Sequence, residues 1–379
     1  MNIPRVQLRP DFSVPRIIKG NWQIADDHSA GVDEAALYDH MAAFVDAGIT
    51  AFDGGDIYYG VEARIGQFIK RYRQERGAEA ASRIAVHTKY CPAFLQDAGL
   101  RAHRPADVVA VIERSLQRMN VERLDMVQLH WWNYDIDGSV ETALTLQSLQ
   151  REGKIHHLGA TNYNVVELSK LVEAGVDIVS NQVQYSLTDR RATNGMASYC
   201  KAHDIHLFGY GALGGGLFSN KWLGIEDPGR PCFENVSLDK YYRIINDFGG
   251  WKLFQRLLAV LDDIARRHNV ALSTVASRYV LDQPAVAALI QGARHAGHLQ
   301  HTLAVFQLAL TAEDRQQIDS VLAQSTGPVG DCYDLDRIEN RDALENIASE
   351  YFDVEAGRLI VRQRAVAPLE VPYGHHLKA

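Results

Sequence analysis

Four side chains suited to proton transfer stand at or near the ends of short apolar runs in this chain. Asp53 closes ITAFD (49–53), Lys89 follows RIAVHT (83–88) and His130 closes LDMVQLH (124–130), while Tyr58 stands five residues beyond Asp53. Singly, each has a plain structural reading: Asp53 as a helix cap, Lys89 as a surface lysine, His130 as a satisfied core histidine. Jointly they suit one reaction. A carboxylate and a lysine can pair in an enclosed mouth, and a phenol beside that ammonium has its pKa lowered. A tyrosine that ordinarily ionises at about 10 becomes a usable general acid in that setting. His130 can hold the oxygen being protonated by a hydrogen bond. The chain offers no nucleophile–base pair and no metal-ligand spacing. The chemistry most in need of such a donor is then carbonyl reduction, with hydride from a cofactor. Asn21, Trp22, Thr161, Asn162, Gln182 and Tyr210 stand at further run ends and complete a polar and aromatic rim.

The runs themselves are RIIKG (16–20), ITAFD (49–53), RIAVHT (83–88), LDMVQLH (124–130), HHLGAT (156–161), DIVSNQ (177–182), IHLFGY (205–210) and VAALIQ (286–291). Most are apolar on both faces, as parallel strands covered by helices tend to be. Amphipathic helices are predicted between them at 33–47, 61–73, 105–119, 140–152, 164–174, 193–203, 252–268, 272–282, 297–307 and 312–324. Gly48 supplies a stop for the first of these, Pro105 suits a first helical position, and Asn164 can cap while Glu167 reaches back. Strands that alternate with helices, without a run of hairpins, specify an α/β protein. Eight repeats of roughly 35 residues favour a single closed (β/α)8 TIM barrel over an open sheet. Its active site belongs at the carboxyl ends of the strands, where the rim residues fall. Residues 1–325 make up the barrel, with a long glycine-rich loop after the seventh strand (211–250) that reads as a lid over a ligand. Residues 326–379 form an extension, with a short helix (342–351) and a strand (358–363), expected to pack on the barrel or on a neighbouring subunit of a homo-oligomer.

The chain has 379 residues, 46% hydrophobic and 23% charged, with a net charge of -8. That balance excludes a disordered chain and lacks the basic face of a nucleic-acid binder. Residues 331–356 hold nine acids against Arg337 and Arg341, so the rest is nearly neutral. No apolar run is long enough to span a membrane, and MNIPRVQLRPDFSVPR does not read as a secretory signal. Cys91, Cys200, Cys232 and Cys332 are far apart and form no CxxC, so they read as reduced thiols of a cytoplasmic protein.

Several segments together resemble the aldo-keto reductase family. FDGGDIYYGVE (52–62) is similar to its aspartate-to-tyrosine segment, HTKY (87–90) to its lysine strand, and QLHWW (128–132) to its histidine strand followed by tryptophan. LGATNYN (158–164) resembles its Gly-x-Ser-Asn segment, and NQVQYSL (181–187) supplies the matching Gln182. The resemblance runs in order over about residues 14–325. It implies Tyr58 as proton donor, Lys89 as the group lowering its pKa, Asp53 as the anchor of Lys89 and His130 as the orienter of the carbonyl. It also implies that Thr161, Asn162 and Gln182 fix the nicotinamide carboxamide while Tyr210 stacks on the ring. Asn21, Trp22 and Asp53 would border the cofactor, and Trp22, Tyr59, Trp131 and Trp132 would wall the substrate pocket. Tyr59 competes with Tyr58 for the acid role, and the spacing favours Tyr58.

Gly209–Gly214 reads G-x-G-x-x-G after a strand, the dinucleotide fingerprint by letter, but Gly215 and Gly216 follow where that motif opens a helix. In a barrel, Gly211, Leu213 and Gly214 instead let backbone N–H groups approach a cofactor pyrophosphate. Two departures from the family stand out. QGARHAGHLQHT (291–302) places Gly292, His298 and Thr302 where the family often has a lysine and an arginine that clasp the 2′-phosphate and an asparagine for adenine, with Ala293 beside them as a further candidate cofactor contact. Arg294 can still meet that phosphate, so NADP(H) is favoured and NAD(H) is the alternative. Gly54 and Gly55 follow the aspartate, which is expected to loosen the local backbone. The implied function is an NAD(P)(H)-dependent oxidoreductase interconverting an aldehyde, ketone or sugar with its alcohol. A cofactor-sensing regulatory subunit is the alternative, and a lyase using Lys89 as a Schiff-base amine a third reading.

Overall fold

The computed structural model describes residues 3–25, 33–92, 104–131, 134, 136–229, 236–292, 296–334, 352–355 and 358–361. Two short strands, β1 (Arg5–Arg9) and β2 (Phe12–Pro15), pair as an antiparallel hairpin. Then come β3 (Ile17–Gly20), β4 (Ala51–Asp53), β5 (Ala85–Tyr90), β6 (Leu124–Leu129), β7 (Ile155–Thr161), β8 (Ile178–Gln184), β9 (His206–Tyr210) and β10 (Val286–Gly292). These eight pair in parallel and close, β10 meeting both β9 and β3. The barrel expected from the strand–helix alternation is therefore present, with each predicted run on its strand. β3, β4 and β8 are buried along their whole length, as strands sandwiched between a barrel interior and a helical coat must be.

The coat comprises α1 (Glu34–Asp46), α2 (Val61–Arg76), α3 (Ala78–Ala81), α4 (Pro105–Met119), α5 (Ser139–Arg151), α6 (Val165–Glu173) and α7 (Met196–Ala202). It continues with α8 (Val236–Phe248), α9 (Gly250–His268), α10 (Leu272–Leu281), α11 (Leu299–Ala304) and α12 (Ala312–Leu322). Pro105 opens α4 at its first turn, as its missing N–H permits. Asn164 caps α6 by accepting from Glu167 N at 2.9 Å. The reciprocal half of that box is absent: Glu167 turns to Lys170 at 2.6 Å, and Asn164 N donates to Tyr134 OH instead. Where α2 crosses α4, Gly66 lets the helices touch; a Cβ there would lie 2.2 Å from Arg118 O.

Two elements depart from the sequence expectation. The β1–β2 hairpin was not anticipated; its Leu8, Phe12 and Val14 pack with Ile18, Ala51, Met126 and Phe208 and plug the amino-terminal end of the barrel. The 211–250 loop carries a full helix, α8, whose Tyr242, Ile245 and Phe248 join Trp251 and Phe254 of α9 in a second apolar cluster. The extension begins by packing: Thr326 N donates to Phe248 O, and Asp331 Oδ2 accepts from Val165 N at the start of α6. The strand expected at 358–363 is present as β12 (Arg358–Val361), antiparallel to β11 (Phe352–Glu355). The expected helix at 342–351 lies outside the described residues.

His87 marks the interior of the barrel. It is fully buried, its ring is stacked with Phe208 at 6.2 Å and lies 6.0 Å from Phe12, and neither ring nitrogen makes a hydrogen bond. Burial pushes its pKa down to about 4. The unfolded chain therefore takes up a proton as pH falls from about 6.5 toward about 4, while the folded chain does not, so stability is lost across that window. Between about pH 7 and about pH 5 this one residue should cost roughly 2 kcal/mol. Urea denaturation of wild type and His87→Met at the two pH values tests this: the variant should lose less stability by about that amount, and equal losses would contradict it.

Candidate active site

β4 and β5 lie side by side, and their carboxyl ends put Asp53 and Lys89 in one layer of the barrel interior. Lys89 Nζ donates to Asp53 Oδ2 at 2.6 Å and to Gly54 O at 2.8 Å. Both side chains are nearly inaccessible, so neither can be satisfied by bulk water. The other carboxylate oxygen is met by two amides: Gln128 Nε2 donates to Asp53 Oδ1 at 2.9 Å and Gln182 Nε2 at 3.0 Å. Gln182 Nε2 also donates to Gln128 Oε1 at 2.8 Å. A buried ion pair is tolerated only with such additional hydrogen bonds. Sequence reasoning passed over Gln128, although it stands two residues before His130 and thus on the same face of β6.

The turn after β4 carries Tyr58 over this pair. Lys89 Nζ lies 5.0 Å from the centre of the Tyr58 ring, and Trp22 meets that ring edge-on at 4.7 Å. The turn is pinned rather than loose. Gly54 N donates to His87 O at 2.8 Å, and both Asp56 oxygens accept from Cys91 N at 3.2 Å. Burial, reinforced by Glu62, pushes the Asp56 carboxyl well above its ordinary range. The two glycines have steric reasons. A Cβ on Gly54 would crowd Ile65 at 3.3 Å, and one on Gly55 would press on the Tyr58 ring at 3.3 Å. The expected loosening of the backbone is thus not what the structure holds.

His130 stands beyond β6, half-buried, with its N–H donating to Tyr90 O. Its Nε2 lies 3.3 Å from Asn162 Nδ2, its Nδ1 3.5 Å from Cys91 Sγ, and Tyr210 OH donates to Asn162 Oδ1 at 3.0 Å. Asn162 adopts a left-handed backbone (φ 59°), a conformation asparagine tolerates better than most residues. Tyr333 of the extension meets His130 edge-on at 5.6 Å, and Lys240 of α8 lies 5.1 Å from the Tyr333 ring and 5.6 Å from the Tyr210 ring. Neither Tyr333 nor Lys240 carries a motif, and only the fold brings them here.

The remaining expected residues divide. Asn21 is buried and its amide donates to Lys19 O and Asp53 O, tying the ends of β3 and β4 together. Thr161 is buried, and its hydroxyl has no hydrogen-bond partner. Trp131 is 1% exposed with its N–H on Ile136 O, so it supports the strand end from within the core. Tyr59 is half-buried, while Trp132, Ala293 and Arg294 lie outside the described residues. Gly211 (φ 71°) opens the glycine turn, and α8 seats Tyr241 against it: a Cβ on Gly211 would lie 2.7 Å from Tyr241 OH. Leu213 and Gly214 follow in the same turn. Gly292 has a local explanation that its motif did not supply. The Gln23 side chain lies where any larger residue would project, 2.1 Å from a built Cβ. His298 is exposed at the end of a short 3-10 turn.

The amide layer beneath the ion pair can be tested directly. Gln128→Met removes a donor from a buried carboxylate and should lower stability by about 1–3 kcal/mol in urea denaturation. An unchanged midpoint would mean that Asp53 does not depend on it.

Comparison with known proteins identifies the family. A model of the Aldo/keto reductase family matches residues 16–323. The chain is 27% identical over 329 residues to Aldo-keto reductase YhdN of Bacillus subtilis (strain 168), covering 83% of this chain and 92% of that protein. It is 30% identical over 232 residues to 6-dehydroglucose reductase of Agrobacterium fabrum, covering 58% and 75% respectively. Among solved structures, the glycerol dehydrogenase AKR11B4 from Gluconobacter oxydans superposes with a TM-score of 0.70 at 25% identity, covering 87% of this chain and 97% of that one. The chain belongs to the aldo/keto reductase family.

Proposed function

We propose that this protein interconverts a carbonyl compound and its alcohol with Tyr58 as the proton donor and acceptor. Family membership carries the general reaction, an NAD(P)(H)-dependent oxidation and reduction of carbonyl and alcohol compounds. The assignment to Tyr58 rests on one observation: the Lys89 ammonium 5.0 Å from its ring centre is the one anchored 2.6 Å from Asp53. A positive charge fixed there stabilises the negative charge that grows on the phenol oxygen as its proton leaves. In reduction Tyr58 gives that proton to the substrate oxygen, and in oxidation it takes the proton back. His130 orients the same oxygen. Lys89 is engaged by Asp53 and Gly54, which disfavours the reading of it as a Schiff-base amine.

A nicotinamide dinucleotide fits the residues present. Thr161 offers a buried hydroxyl with no partner, beside Asn162; the Gly211 turn, against which Tyr241 of α8 is seated, would offer backbone N–H groups to a pyrophosphate only with that ring moved aside. Bound there, the dinucleotide supplies or accepts the hydride. Thr161, Asn162 and Gln182 are the candidates to hold its carboxamide, Tyr210 to face its ring, and Gly211, Leu213 and Gly214 to line its pyrophosphate. By its position in the sequence Arg294 is the candidate to meet a 2′-phosphate, which favours NADP(H) over NAD(H). Trp22 meets the Tyr58 ring and Tyr333 meets His130, and this aromatic border favours an uncharged, polyhydroxylated substrate. The names of two relatives, a glycerol dehydrogenase and a 6-dehydroglucose reductase, point the same way. The protein is read as acting in the cytoplasm, and no described helix is long and apolar enough to cross a membrane.

The test is turnover with a panel of aldehydes, ketones and sugars, followed by the absorbance of NADPH and of NADH. Tyr58→Phe should bind dinucleotide as wild type does while turnover falls by about 10²–10⁴-fold or more. Wild-type activity in that variant would remove Tyr58 from the acid role. Tight binding without turnover in the wild type would favour the regulatory-subunit reading instead.

A further inference from the structure

Three side chains that the reaction does not use converge at the opposite end of the barrel. Asp11 sits in the turn between β1 and β2, and His156 and His157 follow the first residue of β7. His156 Nε2 lies 2.9 Å from Asp11 Oδ2, and His157 Nε2 lies 3.3 Å from Asp11 Oδ1. One donor atom from each residue lies within 4.8 Å of the others. Neighbours on a strand ordinarily face opposite ways. Here both rings turn toward one carboxylate, with their centres 4.2 Å apart. Phe12 fixes them, stacking on His157 at 4.7 Å and meeting His156 edge-on at 5.6 Å.

A simple aspartate–histidine hydrogen bond accounts for His156, whereas His157 has only a longer, poorly aligned contact with the same carboxylate. His157 is 6% exposed, and neither of its ring nitrogens makes a hydrogen bond, although Nε2 stands beside Asp11 Oδ1. Burying an imidazole with both nitrogens unsatisfied is costly. A ligand between Nε2 and the carboxylate would satisfy that nitrogen and remove its share of the cost. Arg9, two residues before Asp11, is answered by Asp177 at 2.7 Å and Asp204 at 3.2 Å.

We propose that Asp11, His156 and His157 form a binding site for a zinc-class divalent cation, one that clamps the β1–β2 plug onto β7. Two imidazoles and one carboxylate suit zinc, cobalt or nickel rather than magnesium or calcium. Ligand atoms on a tetrahedral zinc stand about 3.3 Å apart, given zinc–ligand lengths near 2 Å. The two nitrogen–oxygen separations, 2.9 and 3.3 Å, run to different oxygens of Asp11, so one oxygen would turn onto the ion and water would fill the fourth position. Asp11 is more than half exposed, so an ion can reach the site from solvent. Spacing along the chain gives no hint of this set, because Asp11 and His156 are 145 residues apart. Only the hairpin brings them together.

The test uses the full chain, stripped with chelator and dialysed against zinc, with bound metal measured by atomic absorption. Asp11→Asn and His156→Gln are the variants of choice, since both side chains reach the surface and the fold can be checked by circular dichroism. Wild type should bind one more zinc per chain than either variant at micromolar metal, with affinity reduced at least tenfold in both. Cobalt should give the visible bands of a tetrahedral ion in wild type alone, and zinc should raise the thermal midpoint of wild type but not of Asp11→Asn. His375 and His376 in the tail are retained in every protein, so their contribution cancels. Reductase rates should be alike in all three. Equal zinc uptake by wild type and variants, or the spectrum of aqueous cobalt throughout, would overturn the proposal.

Discussion

The Asp53–Lys89 ion pair sets the terms for everything at the carboxyl end of this barrel. Taking two charges out of water costs several kcal/mol per ion unless geometry and extra hydrogen bonds return it. The return comes from four strands and a turn: Gly54 O on the ammonium, Gln128 and Gln182 on the carboxylate, and the short Lys89–Asp53 contact itself. Losing any of these leaves a charge or an amide unsatisfied in a closed interior. The pair therefore holds the strand ends in register and, through Gly54, dictates where the turn bearing Tyr58 begins. The phenol is placed by the same contacts that make the ion pair tolerable.

That dependence explains the local sequence. Asp56 ties the far side of the turn to Cys91, so the segment between β4 and α2 is anchored at both ends. Gly54 and Gly55 are small because Ile65, Met119 and the Tyr58 ring occupy the space a side chain would need. Gly292 is small because Gln23 lies against it. At Gly54 and Gly292 what reads as departure from a family pattern is a packing contact made by the fold, and at Gly55 it is the Tyr58 ring three residues on. The opposite end of the barrel is built differently, with an apolar plug and two histidines gathered around Asp11.

The strands and most helices were legible because their signals are local. Apolar runs covered on both faces, Pro105 at a first turn and Asn164 at a cap each act within a few residues, and each is where it was expected. Asp53, Lys89 and His130 were legible for the same reason: they end strands, and strand ends in a parallel barrel share one face. The β1–β2 hairpin was not, because RVQLR and FSVP, although they alternate, are too short to stand out as strands. Helix α8 was hidden by the glycines that precede it, although Tyr242, Ile245 and Phe248 carry its buried face. Gln128, Tyr333, Lys240 and Gln23 were missed because each matters only through a contact that the closed barrel creates.

The most direct measurement is the rate of hydride transfer in a single turnover, wild type against Lys89→Met, with dinucleotide saturating. Far-UV circular dichroism and dinucleotide affinity must first match wild type. The account predicts a fall of at least about 10²-fold, because the phenol loses the charge that stabilises its ionised form while every other reactant stays in place. A rate within a few-fold of wild type, in a variant that folds and binds dinucleotide normally, would contradict it.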